Sequence, residues 1–344
     1  MRGGRARQSN GNIREVSEQM PDRLARIDDS RGIAWRITNA ARRVTPRLAA
    51  RFVYAYLRNA HYERPVFIIG APRSGTTMVF EVLKSSSALD GLPWEGHDVW
   101  RAFHHPRWSG WGSDAIEAGN VRFGERRFVN AYFHAHLGLC RLVEKTPENA
   151  LRVPYLLELF PEATVVAVRR NPCEVISSII NGWRDPSGRF RSYYVPAKLD
   201  IPGHAQQRMW CFALIEGWRD YASRPVPEIA FAQWDQLTRA IEEARPLVDP
   251  SRWVDVCFED LLERPEEVVS SIRATVGIES EPAILATLSE LRSRPVNALS
   301  SPRAAKWRRE NGRELHQLLP RIAELAPHRG YIVDPKTGDC EPRG

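Results

Sequence analysis

Val66-Phe67-Ile68-Ile69-Gly70-Ala71-Pro72-Arg73-Ser74-Gly75-Thr76-Thr77 is the stretch that decides the fold of this 344-residue chain. Val66 to Gly70 is a short, wholly apolar run without the alternation of a half-exposed strand. It predicts a strand buried on both faces, as in a parallel sheet. Beyond it, Met78, Val79, Phe80, Val82 and Leu83 predict a helix. A Gly/Ser/Thr loop between buried strand and helix presents backbone N–H groups and a helix N-terminus to an anion. Gly75 lets the backbone approach closely, the hydroxyls of Ser74, Thr76 and Thr77 add donors, and Arg73 adds a forked cation. The loop reads as a phosphate cradle. It departs from the nucleoside-triphosphatase pattern GxxxxGK[ST] at one place: Thr76 stands where the lysine that holds the terminal phosphates would be. That exchange argues against an ATP- or GTP-hydrolysing reading, although a P-loop phosphotransferase using ATP remains the rival enzyme class.

Outward from the loop, the chain alternates strand and helix. A helix over 125–140 leads to a short strand at Leu142-Val143. A helix over 147–160 leads to a second buried strand, Thr164 to Val168, and a helix opened by Pro172 runs to Trp183. Helical patterns at 204–222 and 233–245 precede a strand at 253–257. Further helices are expected near 265–275, 281–292 and 313–326. This alternation predicts an α/β chain with a central parallel sheet flanked by helices on both faces. The second strand ends in Arg169-Arg170-Asn171-Pro172, and Ser178 follows on the second turn of the next helix. Arg170 and Ser178 are candidates for a second phosphate. In open α/β sheets ligands bind at the carboxyl ends of strands, so both motifs belong to one crevice.

Those two motifs together resemble the sulfotransferases that use 3′-phosphoadenosine 5′-phosphosulfate (PAPS). The likeness extends to Glu144-Lys145-Thr146-Pro147 with Phe160-Pro161, to Phe258-Glu259-Asp260-Leu261-Leu262 with Arg264-Pro265, and to Lys306-Trp307-Arg308 and Gly330-Tyr331. It covers roughly residues 65–331, with bacterial and tyrosine-directed members nearest in the loop. It implies a three-layer P-loop-like fold. Arg73, Ser74, Gly75, Thr76 and Thr77 would then hold the 5′-phosphosulfate, and Arg170 and Ser178 the 3′-phosphate. By the same resemblance Glu95 is the first candidate for the base that takes the acceptor's proton. His97 is the second, and its ordinary pKa suits that task better unless burial raises that of Glu95. Lys145 would steady the sulfonate or bridging oxygen, or else pair with a neighbouring glutamate. Lys306 and Trp307 would close over the nucleotide by charge and stacking, or Trp307 would pack a C-terminal helix. The implied reaction is in-line sulfuryl transfer to a hydroxyl or amine without a metal. A non-catalytic nucleotide-binding module with the same fold is the other alternative.

Composition bounds the rest. Lys plus Arg number 49 against 42 Asp plus Glu, a formal charge of +7, with 43% hydrophobic and 26% charged residues. This is a globular composition, not a disordered one. Residues 1–64 carry 14 Arg and 6 acids, a balance of +8, so the remainder stands at −1. We therefore read 1–64 as a basic arm with a partly amphipathic helix (Trp35, Ile37, Val44, Leu48, Phe52, Tyr56 and Leu57, with Arg42, Arg43, Arg47 and Arg51 opposite). Residues 65–335 are read as the α/β domain and 336–344 as a tail. The arm is a candidate for peripheral membrane contact and is no sign of a nucleic-acid binder. No 18-residue apolar run and no secretory h-region is present, and five scattered cysteines form no ligand spacing or disulfide framework. A reducing cytoplasm is the expected compartment. His134/His136 and His104/His105 have the wrong spacing to share a metal ion on a helix. Trp94, Trp100, Trp108 and Trp111 are candidate walls for a small-molecule or lipid-like acceptor, if they are not core.

Overall fold

Residues 45–138, 140–204, 206–293 and 305–343 are described by the computed structural model of the chain. The chain divides into two compact units, residues 1–51 and 52–344. Residues 1–44 of the basic arm, with Trp35, Ile37, Arg42, Arg43 and Val44, lie outside the described part. After them Pro46–Leu57 forms α1, with proline in the first turn, where its missing N–H costs no hydrogen bond. Arg127 donates to the carbonyls of Tyr56 and Leu57, last-turn groups that lack an intrahelical donor.

The strands in chain order are β1 (Val66–Gly70), β2 (Leu89–Asp90), β3 (Arg141–Glu144), β4 (Thr164–Arg169), β5 (Arg191–Tyr194), β6 (Met209–Cys211), β7 (Trp253–Cys257), β8 (Tyr331–Val333) and β9 (Cys340–Pro342). Five of them build one sheet in the order β2-β3-β1-β4-β7, every neighbouring pair parallel. The helices are α2 (Thr76–Lys84), α3 (His97–His104), α4 (Glu125–Leu137), α5 (Val153–Leu159), α6 (Pro172–Trp183), α7 (Val226–Ala244), α8 (Phe258–Glu263), α9 (Pro265–Val276), α10 (Pro282–Ser293), α11 (Lys306–Glu310) and α12 (Gly312–Leu325).

Alternation along the strands assigns these helices to two outer layers. Val66 and Ile68 of β1, Val166 and Val168 of β4 and Val254 and Val256 of β7 pack with α2 and α8 to α10. The intervening residues point the other way. Ile69, Val165 and Ala167 pack with α6, α7 and α12, and Phe67 with α3 to α5. A sheet apolar on both faces requires a helical layer on each, which is the three-layer α/β fold expected.

Three local expectations fail for identifiable reasons. The helix expected over 147–160 breaks at Arg152 (φ −140°), because a continuous helix would put Pro154 in its interior, where it has no N–H to donate and its ring clashes with the carbonyl four residues back; Pro147–Leu151 is a 3-10 turn and α5 starts afresh with Pro154 in its first turn. The helix expected over 204–222 is absent. Met209–Cys211 pairs instead with Arg191–Tyr194, and Phe212 sits at φ 58°, a conformation no helix accommodates. The signal was misleading because Trp210 to Ile215 is buried on all sides, so no 3.6-residue face exists to be read. The segment read as a tail contributes β9, paired antiparallel with β8.

Candidate functional site

All five strands of the main sheet run the same way, so their carboxyl ends share one edge. The neighbours β3, β1 and β4 deliver there, in turn, Lys145, the loop 71–75, and Arg170. Because β1 lies between strands that follow it in sequence on opposite sides, this edge is a switch point of the topology, where a crevice opens.

The loop is tightly built. Ser74 N–H closes a turn on the Ala71 carbonyl at 3.1 Å. Gly75 (φ 100°) opens α2, and a Cβ there would lie 2.2 Å from the Phe258 ring, so no larger residue fits. Arg73 itself sits at φ 74°, a strained conformation for a residue with a side chain and one found at ligand sites. Ser74 Oγ is buried and has no hydrogen-bond partner among the described residues. The first-turn N–H groups of α2 have no intrahelical acceptor. Thr76 is buried and Thr77 half-buried. This arrangement suits a multiply charged oxyanion.

Arg73 joins the two motifs: its Nε donates to Ser178 Oγ at 3.1 Å, while Arg170 Nη1 donates to the Arg73 carbonyl at 3.2 Å. Burial, with Arg189 and Arg170 nearby, lowers the Arg73 pKa to about 10. It remains a cation at neutral pH, held among other cations. Such charge crowding is unfavourable in the free protein and becomes favourable when phosphates enter, so the residues fit a ligand carrying more than one anionic group.

Phe258 underlies both motifs. Its ring meets Gly75, and the Arg170 guanidinium lies 4.7 Å from its centroid. Next to it, Glu259 accepts from Asn171 N–H at 3.0 Å and from Tyr331 Oη at 2.8 Å, fixing the backbone beside Arg170. Asn171 in turn caps α6 by accepting from Cys173 and Glu174 N–H. Removing the ring in Phe258→Ala is expected to cost about 3–5 kcal/mol of unfolding free energy, measured by urea denaturation. It should also weaken binding of adenosine 3′,5′-bisphosphate, and a loss below about 1 kcal/mol would show that the ring holds nothing in place.

Glu95 follows β2 and lies in the same crevice. Its Oε1 accepts from Lys145 Nζ at 2.6 Å and its Oε2 is 2.9 Å from His97 Nε2. His97 Nδ1 lies 3.7 Å from Glu148. Burial works against the Glu95 charge, yet the His97 hydrogen bond and the Lys145 ammonium outweigh it, and the pKa falls to about 2. The idea that burial lifts Glu95 towards neutrality is thus corrected. For His97, burial lowers the pKa, but Glu148 and Glu95 win and the net shift is upward. Lys145 pairs with Glu95 across the crevice, although its side chain is only 8% exposed. Its own neighbour Glu144 is held by Thr146, Asn149 and the Gly96 N–H.

Other expected residues are placed differently. Trp307 is 4% exposed and packs in the core with Leu319 and the Gly338 backbone, so it presents no face for stacking on a nucleotide. Lys306 lies 3.6 Å from Glu310. The four tryptophans do not form one wall. Trp100 is fully buried among Phe67, Phe133 and Tyr155, Trp94 meets His136, and Trp108 and Trp111 meet His105. His134 stacks on Tyr62, whereas His136 contacts Trp94 and Tyr132. Sequence reasoning missed Arg189, Phe190 (5.1 Å from the Arg73 guanidinium), Arg101, Tyr193 and Glu148. Only Glu148 carried a signal, lying one residue beyond the Glu144-Lys145-Thr146-Pro147 segment.

Comparison with known proteins gives a consistent result. Residues 65–214 match the model described as the sulfotransferase family. Nodulation protein NoeE of Sinorhizobium fredii is 25% identical over 65% of this chain and 52% of its own length. Omega-hydroxy-beta-dihydromenaquinone-9 sulfotransferase Stf3 of Mycobacterium tuberculosis is 23% identical over 40% of this chain and 29% of its own. The chain therefore spans about half, or less, of the curated relatives it matches. Among solved structures, sulfotransferase STF9 of Mycobacterium avium is 16% identical, with 82% of each chain covered and a TM-score of 0.48.

Proposed function

We propose that this chain, whose residues 65–214 match the sulfotransferase family, transfers the sulfuryl group of PAPS to a hydroxyl of a small-molecule acceptor. The observation that carries the reading is the Arg73–Ser178 hydrogen bond, which joins the two phosphate-binding motifs beside the Glu95–Lys145 pair. The name of the relative Stf3, a sulfotransferase of a hydroxylated quinone, supports a hydroxyl acceptor. Calorimetric titration with adenosine 3′,5′-bisphosphate tests the reading, and an absence of binding to the unaltered protein would sink it.

The donor supplies a sulfuryl group on a phosphosulfate bridge: the acceptor oxygen forms a bond to sulfur, and the bond from sulfur to the bridging oxygen breaks. The electron pair leaves on the 5′-phosphate and one proton leaves the acceptor. In this scheme Arg73, Ser74 and the first turn of α2 stabilise the charge that grows on the leaving phosphate. Arg170 and Ser178 anchor the 3′-phosphate and so fix the line of attack. Lys145 steadies the sulfonate. The proton goes to Glu95 and His97 acting as a coupled pair, which shares one proton site between Oε2 and Nε2. The pair is a base only when that site is empty. With Glu95 down at about 2, the empty form arises by deprotonation of His97, whose pKa is raised. We therefore expect kcat/KM to rise with pH through one ionisation above about 6.5, and His97→Gln to remove that rise. An acid limb lying below the ordinary glutamate value of about 4.3, with no ionisation near or above that of a histidine, would instead assign the base to Glu95 alone.

The described residues include no helix long and apolar enough to cross a membrane. For the arm, with its balance of +8 over residues 1–64, we propose contact with an anionic lipid surface. Co-sedimentation with vesicles containing anionic lipid should be lost on deletion of residues 1–44. Equal sedimentation of the shortened chain would rule the arm out.

A further inference from the structure

We infer that Phe190 is a positioning residue: its ring holds the Arg73 guanidinium where the leaving phosphate is to be met. This rests on the sulfotransferase reading above and adds to it a side chain that acts through Arg73. Arg73 Cζ lies 5.1 Å from the centroid of the Phe190 ring, within reach of a cation–π contact. The half-buried Phe190 is stacked in turn on Phe212, with ring centroids 5.0 Å apart and planes 23° from parallel. The two residues close one end of the β5–β6 hairpin, Phe190 just before β5 and Phe212 just after β6. Phe212 N–H donates to the Phe190 carbonyl at 2.9 Å, so the backbone keeps the rings together.

The rings rest on α6, the helix that also carries Ser178. Ser178 and Gly182 are four residues apart and share one face of it. Arg73 Nε donates to the first of them, and a Cβ on the second would lie 2.3 Å from the Phe212 ring and 3.2 Å from the Phe190 ring. A larger residue at 182 would therefore push the aromatic pair off the helix. Phe212 itself sits at φ 58°, left-handed backbone that a bulky residue seldom adopts. Strain of this kind persists only where the surrounding packing over-determines it, and it clusters at ligand sites. Here the strained residue backs the ring that meets Arg73.

Arg73 needs such support because its surroundings work against it. Burial and the positive charges of Arg189 and Arg170 all disfavour the cation. Arg189 lies over the same ring, 4.7 Å from its centroid. A guanidinium in that position gains by turning out to water, away from the loop. The negative face of an aromatic ring opposes this, since it attracts a cation and forms no strong hydrogen bond with it. A carboxylate at the same place would hold Arg73 more firmly, but it would neutralise the charge and occupy N–H groups that a phosphate needs. The ring thus fixes the side chain before the nucleotide arrives and leaves donors for the ligand.

The test is calorimetric titration of the full chain with adenosine 3′,5′-bisphosphate and with adenosine 3′-monophosphate, which lacks the phosphate assigned to Arg73. Phenylalanine at 190 is replaced by its mono-, di- and trifluorinated forms, which drain charge from the ring face and keep its shape. Affinity for the bisphosphate should fall stepwise, about tenfold at the trifluorinated ring, with the monophosphate and the melting temperature unchanged. In an Arg73→Ala background the same series should be flat. Phe190→Leu should match the trifluorinated ring, and Phe190→Tyr should bind as the unaltered protein does; if Phe190→Leu does not fold, the fluorinated series decides. Equal affinity across the series, equal weakening of both nucleotides, or a loss that persists without Arg73 would overturn the inference and leave Phe190 a packing residue. Failure of the unaltered protein to bind the bisphosphate would overturn the sulfotransferase reading, and this inference with it.

Discussion

Arg73→Ala is expected to lower sulfate transfer about a thousandfold while leaving the protein folded. Leaving-group charge is the largest electrostatic demand of the reaction, and loss of one pre-organised donor in such a site typically costs 10²–10³ in kcat. Arg73 does more than donate, because its Nε also fixes Ser178 and so couples the two proposed phosphate positions. Its backbone sits at φ 74°, where alanine is strained no more than arginine, so the loop loses nothing by the exchange. Arg73→Lys should recover part of the rate, since a point charge replaces the fork without its second bond. The measurement is single-turnover transfer at saturating donor, with melting temperature as the control for folding. A loss of less than about tenfold would remove Arg73 from the reaction.

Arg170→Ala should act on binding more than on chemistry, and selectively. The guanidinium lies over Phe258 and bonds the Arg73 carbonyl, so it is held in place before any nucleotide arrives. A pre-positioned arginine on a phosphate is worth a charge-assisted, often bidentate, contact. Its loss should weaken adenosine 3′,5′-bisphosphate about a hundredfold and adenosine 5′-monophosphate hardly at all. Calorimetry with both ligands separates recognition of the 3′-phosphate from general damage to the crevice. Equal weakening of the two would assign Arg170 to the architecture of the loop instead.

The parts that could be read along the chain were those decided by near neighbours. An apolar run followed by Gly70 to Thr77 makes a buried strand, a turn and a helix start. Arg170 and Ser178 are eight residues apart, a strand end and the second turn of the helix it feeds. Glu95 and Lys145 were each named from the sequence, but their contact, which spans 50 positions, could not be. The β6 strand was misread because a segment buried on every side carries no period. Trp307 likewise looks the same in sequence whether it caps a nucleotide or fills a core.

The amino-acid sequence by itself determined a parallel α/β sheet with a Gly/Ser/Thr loop and an arginine-bearing turn at its strand ends, since turn chemistry, apolar runs and the handedness of crossovers suffice for that. The tertiary structure alone decided which charges meet. A parallel sheet brings strand ends together regardless of their separation along the chain, and only then do Arg73, Ser178, Lys145 and Glu95 share a crevice. It also set the sign of the Glu95 shift. Burial pushes a carboxyl up and nearby cations pull it down, and the winner depends on distances of a few ångströms that no local pattern encodes.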